Sequence, residues 1–166
     1  MPNVEFQYVL LGALAIALVI AAITDIRRRQ IDNWLNAAIA LAAPLYWWAS
    51  GLSLWPGVAW QLGIAAITFA ICAGLFALRA MGGGDVKLLA ALALWITPAW
   101  FLKLIVMMSL LGGLLTVVLA VWHGARGRRE RLAIPYGVAI STAGLWALAS
   151  QFLPAAQAVA TTGQIG

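Results

Sequence analysis

Charge is what this chain has least of: only 9% of its 166 residues are charged, against roughly 25% in a soluble domain. It has a single cysteine, Cys72, and a single histidine, His123. One cysteine excludes an intrachain disulfide and a four-cysteine zinc site. One histidine excludes a His-Glu-x-x-His metalloprotease, and no Gly-x-Ser-x-Gly elbow accompanies it. No Gly-x-x-x-x-Gly-Lys phosphate loop is present either, which argues against ATP chemistry. A basic n-region is also missing, so the N-terminal apolar run is expected to be a retained span rather than a cleaved signal.

What fills the chain instead is apolar. Hydrophobic residues make up 64%, and mean hydropathy is +0.98. A single domain of this length cannot hide that much apolar surface in its own core, so lipid must cover the rest. The expectation is an all-α, polytopic membrane protein forming one transmembrane domain over residues 1–166. Six apolar segments are legible: Phe6–Thr24, Trp34–Ala49, Gly57–Leu78, Val86–Thr97, Phe101–Trp122 and Pro135–Leu153. A span needs about 20 residues. The second segment is somewhat short and contains Pro44, which a span tolerates. The fourth, at 12 residues, gives only about 18 Å of helix. Either Met81–Asp85 dips below the surface, or that helix borrows residues at its ends.

The formal charge is +5, and its distribution sets the orientation. Arg27–Arg29 follow the first segment, Arg79 and Lys87 flank the third connection, and Arg126, Arg128, Arg129 and Arg131 follow the fifth. These connections alternate to one side, which the positive-inside rule makes cytoplasmic, with both termini outside. Such clustering speaks for membrane orientation and against nucleic-acid binding. Lys103 stands apart and is expected to snorkel. Trp47, Trp48, Trp55, Trp95 and Trp100 flank the outer connections, as an interfacial belt would.

Five acids remain: Glu5, Asp25, Asp32, Asp85 and Glu130. Glu130 lies among arginines and reads as a solvated counter-charge. Asp25 closes the first apolar run. Asp85 follows Gly82-Gly83-Gly84 and, taken alone, reads as an N-cap. Three glycines in sequence are costly in an ordered segment. They make sense where the backbone bends sharply or another chain comes close. Asp25 and Asp85 end different spans on the same side. Brought together, two carboxylates share one proton, and one activates water while the other polarises a carbonyl. That is aspartic-protease chemistry. The same two acids would also serve a proton-coupled transporter or channel component. That alternative requires a polar path, and Asn36, Gln61, Thr68, Ser109 and Thr116 are scattered.

Three sequence pieces resemble the type IV prepilin peptidases, membrane aspartic proteases with a Gly-x-Gly-Asp motif. They are Thr24-Asp25-Ile26-Arg27-Arg28-Arg29-Gln30-Ile31-Asp32-Asn33-Trp34-Leu35, Gly82-Gly83-Gly84-Asp85-Val86-Lys87-Leu88, and Ile134-Pro135-Tyr136-Gly137. The resemblance is closest to the short form serving Flp/Tad-type pili. It implies an endopeptidase of the bacterial inner membrane that cuts the leader from a prepilin at the cytoplasmic face, without metal or organic cofactor. It implies Asp25 and Asp85 as catalytic residues and Gly82, Gly83 and Gly84 as the place where the substrate backbone approaches. Lys87, Pro135, Tyr136 and Gly137 would support them, with Lys87 and Arg27–Arg29 tuning the pair by charge. Larger relatives add an N-methyltransferase domain with paired cysteines. This chain lacks such pairs, and peptidase activity alone is expected. Asp32 stands where the family usually has proline and is expected to be a turn or N-cap residue.

Overall fold

The computed structural model describes residues 3–125 and 136–162. The described chain is helical and contains no strand. Each apolar segment becomes a helix: α1 Val4–Arg28, α2 Asn33–Ala49, α3 Ala59–Ala77, α4 Gly83–Leu92, α5 Pro98–Ala125 and α6 Tyr136–Thr162. A kinked turn, Leu54–Val58, with extended backbone at Trp55 (φ −128°, ψ 128°), leads directly into α3.

Local chemistry sets the boundaries. Asn3 caps α1 by accepting the Phe6 amide at 3.1 Å. Arg29 ends that helix in the left-handed region at φ 55°, its amide bonding the Asp25 carbonyl. Asp32 is the N-cap of α2, as expected, although its side chain makes no capping bond. Pro44 lies within α2 without ending it.

Three of these helical stretches, Val4–Arg28, Leu54–Ala77 and Pro98–Trp122, are long and apolar enough to cross a membrane. Their outward faces are apolar: Ile16, Ile67 and Leu110 are all more than half exposed. Facing water, such surface would cost about 25 cal/mol per Å². Facing lipid, it costs nothing comparable. The chain is therefore a helical protein built for a membrane.

The short fourth helix is the hub. It packs against α2, α3 and α6, while α1 packs against α2 and α6, and α5 against α6. Val86, Leu88, Leu89, Ala91 and Leu92 are all buried. The helix does borrow Gly83–Asp85 at its start, but it stops at Leu92, earlier than the apolar run suggests. Ten residues give about 15 Å of helix. Beyond Leu92 the chain stays inside: Ala93, Trp95 and Ile96 are buried.

Non-helical backbone in an apolar interior needs partners for its carbonyls, and side chains supply them. Trp47 Nε1 donates to the Leu94 carbonyl at 2.7 Å. The Gln61 amide, turned to donate, reaches the Ala93 carbonyl at 2.7 Å and that of Ile96 at 3.1 Å. In return, Trp95 Nε1 donates to the Ile39 carbonyl of α2 at 2.9 Å.

This corrects the reading of Trp95 as an interfacial residue. It is a core residue, stacked on Tyr46 with centroids 5.1 Å apart. Trp48 and Trp55 are well exposed, as belt residues are. Lys103 places its ammonium 3.9 Å over the Trp100 ring rather than simply reaching for solvent. The side chain of His123, with Arg126, Arg128, Arg129, Glu130, Arg131 and Pro135, lies outside the described residues.

Candidate active site

Asp25 lies on the last turn of α1 and is 5% exposed; Asp85 lies on the first turn of α4 and is 9% exposed. A buried carboxyl in an apolar bundle is costly and calls for a reason. The fold brings these two to one place, although sixty residues separate them in sequence. They feel each other's charge. Burial, and then the proximity of Asp25, push the Asp85 carboxyl up to about 6, while the Gly82 amide acts against this. Asp85 is thus the third residue of α4 rather than its N-cap, which is Gly82. Its carboxylate reaches back to the Gly82 amide, as the acid of a capping box does.

Asp25 faces the start of α6, where the Gly137 and Val138 amides point toward its carboxylate. Free amides at a helix N-terminus form a natural seat for negative charge. Its Oδ2 is nonetheless buried without a hydrogen-bond partner of good geometry. Arg29 contributes an opposing charge nearby.

Glycine makes this assembly sterically possible. A Cβ at position 137 would lie 2.8 Å from Asp25 Oδ2 and 2.8 Å from Ile31 Cδ1. At position 82 it would lie 2.8 Å from Asp85 Oδ2. At position 84 it would meet Ile31, at 3.1 Å from Cβ and 3.3 Å from the backbone N and O. At position 83 it would press on the Phe76 ring at 3.3 Å. Close backbone approach is therefore what the glycine run permits, and at all three positions the near neighbour is the protein itself: Asp85 at 82, Phe76 at 83 and Ile31 at 84. Of the three, Gly82 also lines a cleft.

Gly82 lines an open cleft of about 740 Å³ together with Phe76, Arg79, Met81 and Tyr136. Tyr136 begins α6, and its ring occupies the space beside Gly112 of α5, where a Cβ would come within 2.9 Å. Neither aspartate lines this cleft; Gly82, close against the Asp85 carboxylate, is the residue that joins the two.

Lys87 stands elsewhere. Two residues along a helix turn the side chain through about 200°, and its Nζ bonds Asn33 Oδ1 of α2 at 2.7 Å. It supports the site by tethering α4, not by placing charge against the carboxylates. Asp32 likewise turns away, pairing with Arg28 at 3.0 Å on an exposed surface.

Two contributors escaped the sequence reading. Asn36 is buried, and its Nδ2 donates to the Gly84 carbonyl at 3.2 Å, fixing the head of α4 to α2. Ile31 is buried between Gly84 and Gly137, joining α4 to α6 beside Asp25. Each left a signal. Asn33 and Asn36 lie one turn apart on a single helix face. Ile31 is the lone apolar residue in the stretch Arg27–Asn33.

Among the described residues, no three His, Cys, Asp or Glu side chains gather as a metal site would need. The arrangement offers two buried carboxyls within electrostatic reach of each other, with Gly82 joining Asp85 to a cleft, a set of groups that general acid–base hydrolysis can use.

No curated protein and no solved structure matches the chain. A family does: the type IV leader peptidase family matches residues 12–121, a stretch that includes Asp25, the glycine run and Asp85. Two buried acids held by this glycine framework, within a match over most of its length, mean that the chain belongs to the type IV leader peptidase family.

Proposed function

We propose that this peptidase is an aspartic endopeptidase that removes the leader from Flp/Tad-type prepilin precursors. It would act at the cytoplasmic face of a bacterial inner membrane, with six membrane segments and both termini outside. The observation that carries this reading is the burial of Asp25 and Asp85 within electrostatic reach of each other.

The two environments suggest a division of labour. Asp85 stands at the head of a helix too short to span, and its raised pKa makes it the carrier of the shared proton. Asp25, facing the amides that open α6, takes the part of the base in this division. Asp25 takes a proton from water, and the oxygen attacks the scissile carbonyl carbon. Asp85 gives its proton to the carbonyl oxygen. Collapse of the tetrahedral intermediate breaks the C–N bond: the proton held by Asp25 passes to the departing amine, and a hydroxyl proton of the intermediate returns to Asp85 as the new carboxyl C=O forms. The pair titrates and acts as one unit.

The test is co-expression with a Flp-type prepilin, following precursor size. Asp25→Asn and Asp85→Asn should each leave the precursor uncut while the protein still inserts. Full processing by either variant rejects the mechanism.

A further inference from the structure

α3 and α5 make little contact with each other. Between them lies an apolar groove of about 470 Å³, floored by Leu89 of α4. Ile71 and Leu75 line one wall, and Leu102 and Ile105 the other. Ile71 and Leu102 are 62% and 66% exposed, so the groove opens sideways rather than into the bundle. From Leu75 to Ile64 the α3 wall runs about 16 Å, or three helical turns.

Met81 lines both this groove and the cleft that carries Gly82 beside Asp85. Groove and cleft therefore adjoin at Met81 and together make a trough, apolar on the groove side and more polar on the cleft side, where Gly82 stands beside the Asp85 carboxylate. A second groove, lined by Asn33, Phe69 and Lys87 on the α2 side of α4, shares no residue with the cleft.

We propose that the α3–α5 groove receives the apolar helix of the substrate, which hands its preceding extended segment over Met81 to Asp85. This rests on the peptidase reading above. A helix satisfies its own backbone and is the form in which a peptide can lie against lipid. It must end where the bond is cut, because a hydrogen-bonded helical turn does not offer its carbonyl to attack. The trough supplies that change of surroundings at Met81. Small side chains in the walls, Thr68, Cys72 and Ser109, permit the close approach that membrane helices use to associate. Ser109 already spends its hydroxyl on the Ile105 carbonyl at 2.8 Å, so it presents little unpaired polarity to a partner.

The test has two arms, both in native membranes. In a Cys72→Ala, Asp85→Asn background, Ile71→Cys and Leu102→Cys should each cross-link to one cysteine placed on the apolar helix of a Flp-type prepilin. Phe69→Cys, in the α2-side groove, should not; cross-linking there instead overturns the inference. In the otherwise unaltered protein, Ser109→Trp fills the groove from an exposed position. It should slow processing of the whole precursor at least tenfold and leave cleavage of a leader peptide lacking the helix unchanged. Equal processing of the precursor by Ser109→Trp, with the original protein active, refutes the docking site alone. Failure of the original protein to cut either substrate refutes the peptidase reading.

Discussion

Gly137 on α6 leaves no room for even one carbon between itself and Asp25 on α1: a Cβ there would sit 2.8 Å from Oδ2 and 2.9 Å from Cγ. The same atom would strike Ile31, so the carboxylate cannot yield by moving that way. Gly137→Ala should therefore displace Asp25 or tilt α6. Misplacement of a catalytic group by about 1 Å costs roughly 10²-fold in rate. Processing should fall by about that factor while the protein inserts normally. Gly113→Ala, on α5, meets nothing within 4 Å and is the matched control. Equal activity of the two variants would remove Gly137 from the site.

In the proposed mechanism the proton on Asp85 sets the pH dependence. Burial and the nearby Asp25 hold that carboxyl at about 6, and the proposed mechanism needs it protonated. kcat/KM for precursor processing in vesicles should decline as pH rises through about 6. Substrate covering the cleft excludes more water, which further disfavours the ionised form. The corresponding decline in kcat should lie at higher pH than that in kcat/KM. A rate that keeps rising from pH 6 to pH 9 would contradict Asp85 as the acid.

Most of this site was legible from residue order, because its signals are local. An acid ending one apolar run and a glycine-acid pair opening another point to the carboxylates without any tertiary information. What stayed hidden was the partner of each small residue. The glycine run reads equally well as a place for a substrate or for the chain's own backbone, and only packing shows Ile31 against Gly84. The early end of α4 was hidden for a similar reason. Residues 93–97 are apolar enough to continue a helix, but Trp47 and Gln61, from two other helices, hold their carbonyls outside one. Trp95 misled because tryptophan suits both an interface and a core with a carbonyl in reach.

Asn36 anchors the head of α4 through the Gly84 carbonyl. Replacing it with Ala leaves that part-buried carbonyl without its donor, at a cost of about 1 kcal/mol. Asn36→Ala should lower the melting temperature in detergent and weaken processing, because the anchored residue adjoins Asp85. Asn33→Ala removes the exposed partner of Lys87, where solvent replaces the lost bond. Its effect on melting should be smaller, within about 0.5 kcal/mol. Reversal of that order would mean that the tether lies at Lys87 rather than at Gly84.

A carboxyl placed for catalysis should weaken the fold that holds it. Asp85 ionises near pH 3.8 when unfolded and at about 6 when folded. Between these values the folded state binds the extra proton. Its contribution is therefore intact below about pH 4 and is lost as pH rises through about 6. A shift of that size corresponds to about 3 kcal/mol at neutral pH. Asp85→Asn keeps an acceptor for the Gly82 amide but carries no charge to bury. The inactive variant should therefore melt above the original protein at pH 8, and the gap should close toward pH 4. A gap that is absent at pH 8, or that widens as pH falls, would show that the folded protein does not resist ionisation of this acid.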